Sequence, residues 1–213
     1  MLEIQEIVRQ FAILAVPVLM AITFHELAHG YVAYILGDPT AKAAGRLTFN
    51  PLKHLDPIGT IALFIVKIGW AKPVPVNPGY FANPRQGMIY VSLAGPVTNF
   101  LLATGFALLF HALFWMFGQS TSEQTVRIVQ PLIYMAQAGV LVNIGLGVFN
   151  LLPIPPLDGS NILAGLLPPR YAQIYQEQGK YGFIVLILLF LTGAVQKVIL
   201  PVIYGLASLL LPI

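Results

Sequence analysis

Apolar residues run without a charge from Phe11 to Phe24, and comparable apolar blocks recur down the chain with short polar stretches between them. The first block predicts a helix from about Ile7 to Leu36, stopped by Gly37-Asp38-Pro39. At 1.5 Å per residue it is about 45 Å long, more than a bilayer's hydrocarbon needs. Two further long helices are predicted, from about Gly87 to Phe117 and from about Arg127 to Leu152. Two shorter apolar runs close the chain, Tyr181 to Gly193 and Val198 to Leu211, and they make one span or two. Between the first and second helices lies an apolar run, Ile58 to Gly69, and then the proline-rich segment Trp70 to Pro78. That run is too short to cross, so it is expected to be re-entrant or interfacial. The pattern describes a polytopic α-helical membrane protein with about four to six membrane helices, in a single integral-membrane domain over 1–213.

Composition agrees with the pattern. Hydrophobic residues make up 57% of the 213 and charged residues 9%, which fits a protein whose partner is the lipid bilayer. Cysteine is absent, so disulfides and thiolate metal sites are excluded, and His, Asp and Glu are the remaining ligand pool. The net charge of +3 comes from basic residues scattered singly through loops, without the patch that a nucleic acid partner requires. Those charges report sidedness instead. Six of the eleven basic residues (Lys42, Arg46, Lys53, Lys67, Lys72, Arg85) lie in 37–86, and Arg170 and Lys180 lie in 153–180, so both loops are expected in the cytoplasm. The N-terminus begins with Glu3 and Glu6 and lacks a small-residue cleavage site, which reads as an uncleaved span and not a signal peptide.

Chemistry enters at His25-Glu26-Leu27-Ala28-His29, inside the first predicted span. Histidines at i and i+4 share one helix face, so both imidazoles can reach one metal ion while the carboxylate between them can take a proton from water. Ionisable residues at membrane depth are costly, which points to function; the bland alternative is a polar pair satisfied by neighbouring helices. Two more polar motifs break the apolar blocks, Gly95-Pro96-Val97-Thr98-Asn99 and Asn150-Leu151-Leu152-Pro153-Ile154-Pro155-Pro156-Leu157-Asp158-Gly159. If the run 58–69 does not cross, all three motifs lie at similar depth on one side. His111 lies about three turns beyond Asn99 toward the opposite face, which removes it from the ligand set. Pro17 reads as a bend in a span.

Taken together, His-Glu-x-x-His at 25–29, Gly-Pro-x-x-Asn at 95–99 and Asn-x-x-Pro-x-x-x-Leu-Asp-Gly at 150–159 resemble the site-2 protease family of intramembrane zinc metalloproteases, over roughly residues 7–195. The resemblance implies one Zn²⁺ per chain held by His25, His29 and Asp158, with Glu26 as general base. Asp158 also suits the third place in such a site, as an acidic residue at membrane depth beside a helix break. A supporting or substrate-binding role is implied for Asn99, with Asn150 and His54 as weaker candidates. The amide of Asn150 is expected to satisfy carbonyls freed by Pro153, and His54 reads as a hydrogen-bonded structural histidine. Residues 40–50 resemble the family's membrane-associated β-hairpin, whose edge could take an unwound substrate. The implied activity is hydrolysis of peptide bonds in transmembrane protein substrates, within or near a cell membrane crossed several times, with the active site toward the cytoplasm. The turn Gly118–Val126 is too short for a PDZ domain, so a minimal form is expected. Oligomeric state is not indicated. Two other classes use similar ligands: a metal-binding membrane transporter and an inactive scaffold for transmembrane helices. Glu26 separates them, because neither needs a carboxylate between the metal ligands.

Overall fold

The computed structural model describes residues 2–66, 69–118, 120 and 122–212. Among the described residues, three helices are long and apolar enough to cross a membrane: α1 (Leu2–Ile35, apolar from Arg9), α4 (Pro84–Phe117) and α5 (Glu123–Asn150). Between α1 and α4 lie the short helices α2 (Thr40–Ala43) and α3 (Pro57–Val66). After α5 come α6 (Asp158–Leu166), α7 (Pro169–Glu177), α8 (Gly182–Leu191) and α9 (Leu200–Ala207). The end of the chain narrows the expected four to six membrane helices to four at most among the described residues. Residues Pro169–Leu191 and Val195–Ala207 meet at 76°, with Gly193 at φ +72°, so they count as one further span at most.

Local chemistry sets the ends of these helices. Asn83 caps α4 by accepting the Gln86 N–H, Ser122 caps α5 by accepting the Thr125 N–H, and Pro84 sits at the first position of α4. The expected hairpin over 40–50 is replaced by a helical turn at 40–43 and a left-handed turn at Gly45 (φ +63°). No strand forms among the described residues; the single β-bridge pairs Leu55 with Ala71. The short run expected over 58–69 is α3, only 10 residues long, and Lys67 and Ile68 lie outside the described residues.

Packing brings α1, α4 and α5 together. Across the α4–α5 seam a small residue faces a large one: a Cβ at Gly139 would strike the ring of Phe106 at 2.4 Å, and one at Gly147 would meet Phe100 at 2.9 Å. Close approach over small residues is how helices associate where lipid removes the hydrophobic drive. The core between α4, α5 and α9 contains Ala103, Ala107, Phe110, Ala136, Val140, Ile144 and Ala207. The outer faces remain apolar, with Leu101, Leu108 and Trp115 of α4 exposed along one stripe as lipid contact requires. Helices α1 and α4 run antiparallel, since His29 meets Val91 while His25 meets Asn99. The chain from 36 to 83 therefore leaves and returns at the same end of the bundle.

That connection is tied down by buried polar groups. Asp38, fully buried just past α1, accepts the Asn77 N–H at 2.7 Å, the Thr40 N–H at 2.9 Å and the Thr40 hydroxyl. Burial works against its charge, yet these donors hold its carboxyl below the ordinary value.

Candidate metal centre

The metal motif lies in the second half of α1, where His25 and His29 are 7% and 8% exposed and their rings meet edge to face at 4.5 Å. Each imidazole gives its Nδ1 proton to α4. His29 donates to the Val91 carbonyl at 2.7 Å, and a carbonyl only accepts, so the proton of His29 is assigned to Nδ1. His25 donates to Asn99 Oδ1 at 2.6 Å. The Asn99 amide is oriented by the same logic: its Nδ2 donates to the Ala21 carbonyl at 3.3 Å and to Asn143 Oδ1 at 3.0 Å. Asn143 is oriented in turn by donating to the Gly139 carbonyl at 2.9 Å. A backbone carbonyl of α5 thus fixes, through two amides, which nitrogen of His25 carries its proton.

Both Nε2 atoms are left as bare lone pairs, and they point at a third acceptor. His25 Nε2 and His29 Nε2 are 3.0 Å apart, and Asp158 Oδ2 lies 3.2 Å and 3.3 Å from them. Asp158 Oδ2 is buried and receives no hydrogen bond. Three electron pairs converging with no proton among them repel unless a cation sits between them. Two imidazole nitrogens and a carboxylate oxygen suit zinc, and a tetrahedral ion with bonds of about 2.0–2.1 Å sets its ligands about 3.3 Å apart. The donor set therefore fits the metal. Among the described residues, His25, His29 and Asp158 form the one group of three such side chains able to hold an ion.

Two glycines permit this approach. A Cβ at Gly95 would lie 2.5 Å from His25 Cε1 and His29 Nε2, so the glycine of the 95–99 motif lets α4 pass beneath both rings. A Cβ at Gly159 would lie 2.2 Å and 2.5 Å from the Leu151 and Leu152 carbonyl oxygens; its absence lets α6 start against the end of α5 and bring in Asp158. Asp158 occupies the first turn of α6, where a helix favours negative charge.

Glu26 accepts the Val74 N–H at 2.9 Å through Oε2. Beside it, Phe24, Leu27, Tyr31, Leu47 and Phe49 line an apolar groove of about 640 Å³. The remaining candidates lie elsewhere. The Asn150 amide donates to the Leu146 carbonyl of its own helix at 3.0 Å, and so does not serve carbonyls freed by Pro153. His54 is fully buried and bonds the Thr48 carbonyl at 2.9 Å, while His111 meets the Leu210 carbonyl at 2.8 Å.

Sequence reasoning missed Asn143, although an amide inside an apolar span is itself a signal. Asn143→Ala leaves the Asn99 amide only its longer bond to the Ala21 carbonyl, and Asn99→Ala removes the His25 acceptor outright. Each is expected to weaken zinc binding by about 10- to 100-fold, the usual cost of losing such a partner, and titration against a chelator measures it.

Comparison with known proteins finds a match to the model of peptidase family M50 over residues 13–194. "Putative zinc metalloprotease YwhC" of Bacillus subtilis is 44% identical over 189 residues, covering 88% of this chain and 84% of the relative. "Putative zinc metalloprotease Rip2" of Mycolicibacterium smegmatis is 30% identical over 198 residues, covering 87% and 69%. "Zinc metalloprotease MJ0392" of Methanocaldococcus jannaschii is 28% identical over 164 residues, covering 77% and 37%. No solved structure matches the chain significantly.

Proposed function

The chain belongs to peptidase family M50, the site-2 proteases, and is a multi-pass membrane zinc metalloprotease; from there we propose how its residues divide the work. His25, His29 and Asp158 hold the single zinc, Glu26 is the base, and the substrates are transmembrane proteins cut on the cytoplasmic side. The observation that carries the ligand assignment is the meeting of three unprotonated donors at 3.0–3.3 Å.

Zinc, when bound, supplies Lewis acidity that lowers the pKa of water and offsets charge developing on a carbonyl oxygen. The chain's residues supply the rest. Asn99 and the Val91 carbonyl keep both imidazoles in the tautomer that presents Nε2. With one oxygen held by Val74, Glu26 has Oε1 left to take a proton from water as the water oxygen bonds to the scissile carbonyl carbon. The same proton then passes to the amide nitrogen as the C–N bond breaks. Helical substrate hides its carbonyls in internal hydrogen bonds, so the cut segment must unwind. The apolar groove along Leu27, Tyr31 and Leu47 offers a surface for the part that remains in the membrane.

Zinc-loaded protein in lipid should cleave members of a panel of single-span proteins, with cleavage lost to a chelator and restored by zinc. Zinc bound with no cleavage of any panel member would favour a scaffold or transporter.

Sidedness rests on the antiparallel α1–α4 pair together with the basic residues in 37–86. Since the chain has no cysteine, single cysteines report cleanly. Impermeant reagents are expected to label positions Lys42, Lys72, Arg85 and Arg170 from the cytoplasm only, and Glu123 from outside only. Labelling of Lys42 and Arg85 from opposite sides would overturn this topology.

A further inference from the structure

Residues 71–77 cross α1 as an extended strap, and one of its amides reaches the catalytic carboxylate. In Pro73-Val74-Pro75 both prolines lack an N–H, so Val74 has the one amide donor of the three, and it goes to Glu26 Oε2 at 2.9 Å. We propose that the Val74 N–H is a positioning group for Glu26, and that Arg46 is the buried side chain that holds the strap in place for it. The proposal rests on the reading of Glu26 as base.

The strap is fastened along its length, as a positioning element must be and a lid is not. Arg46, 6% exposed, spans two successive carbonyls, Nη1 donating to Pro73 at 3.0 Å and Nη2 to Lys72 at 2.6 Å. The planar guanidinium fork suits such a two-point grip, which a lysine cannot reproduce. Lys72 N–H donates to the His54 carbonyl at 2.9 Å, beside the bridge between Leu55 and Ala71. At the far end the Asn77 N–H is held by Asp38. In the middle, Val74 is buried against α1 at Gly30, where an added Cβ would meet Val74 Cγ1 at 3.0 Å and Leu47 at 2.8 Å. Gly30 lies one turn beyond Glu26, so the strap rests on bare helix backbone next to the base.

This matters because the last torsion of a glutamate is soft and nearly two-fold, so an untethered carboxylate samples many planes. One N–H on Oε2 selects a plane and leaves Oε1 for the proton. Losing it should act on the chemical step without disturbing zinc or substrate binding.

Val74→Pro removes the N–H in a segment already extended by its prolines, whereas Val74→Ala trims the side chain and keeps the N–H. With both proteins zinc-loaded in lipid, kcat of Val74→Pro should fall about 10- to 100-fold below that of Val74→Ala, with similar KM, zinc affinity and thermal midpoint. Arg46→Lys tests the same coupling without touching the strap's sequence, and should lower kcat while sparing zinc affinity. Equal kcat in Val74→Pro and Val74→Ala would overturn the proposal, and so would higher kcat in Val74→Pro, which would make the contact a restraint on the base. If Val74→Pro does not fold, Arg46→Lys decides: loss of kcat with zinc affinity kept supports the proposal, and unchanged kcat overturns it. Full activity in Glu26→Gln would instead sink the reading of Glu26 itself.

Discussion

Glu26→Gln is expected to abolish cleavage while the protein keeps its zinc and its fold. The substitution preserves side-chain shape and leaves an oxygen to accept the Val74 N–H, so the strap stays in place. What it removes is the ability to take a proton. Hydrolysis needs one proton removed from water and one delivered to the leaving nitrogen, and general acid–base catalysis of this kind contributes about 10²- to 10⁴-fold. The loss should appear in kcat, with KM for a membrane substrate little changed, because the group acts in the transition state and not in binding. Zinc content by metal analysis and activity in the same preparation give the two readouts. Cleavage that persists at the wild-type rate with zinc present would remove Glu26 from the chemistry.

Removing a ligand should have the second largest effect, and on a different quantity. In Asp158→Ala the two Nε2 lone pairs keep their direction, since Asn99 and the Val91 carbonyl still hold the Nδ1 protons. Zinc loses its anionic ligand and is left with two neutral imidazoles. His25→Ala or His29→Ala removes an imidazole and leaves the charge. Each variant should lower zinc affinity by orders of magnitude at neutral pH, with cleavage falling in parallel and partly restored at high zinc. Chelator competition and X-ray absorption give occupancy and coordination number. Unchanged coordination in Asp158→Ala would exclude Asp158 from the site.

How far the sequence reveals these features depends on whether a feature resides in side chains at fixed spacing. His25 and His29 are legible because helical geometry alone puts i and i+4 on one face. Asp158 is legible because its motif breaks a helix at membrane depth. Asn143 has no such spacing partner, and its meaning depends on the register between α4 and α5, which small residues such as Gly139 set and a single sequence does not display. Val74 acts through its backbone, which no residue type encodes, although the proline on either side marks the amide. The resemblance implied a hairpin over 40–50, but no strand forms there among the described residues: Gly45 turns the chain and Arg46 goes inward to the Pro73 and Lys72 carbonyls. The last two apolar runs looked like one span or two, and their 76° bend leaves them as one broken span at most.

The order in which the polar partners occur along the chain bears on how a protease is made safely inside the membrane it will work in. When α1 and α4 have been inserted as a pair, both histidines already have their Nδ1 acceptors, Asn99 and the Val91 carbonyl, and the Gly30 and Gly95 contacts are available. Asp158 begins α6 and reaches the imidazoles only after α5 has been synthesised and packed. A chain halted before that point lacks both the Asp158 carboxylate and the Asn143 amide that orients Asn99. The three groups that meet at 3.0–3.3 Å therefore come together only once α6 has followed α5 out of the ribosome.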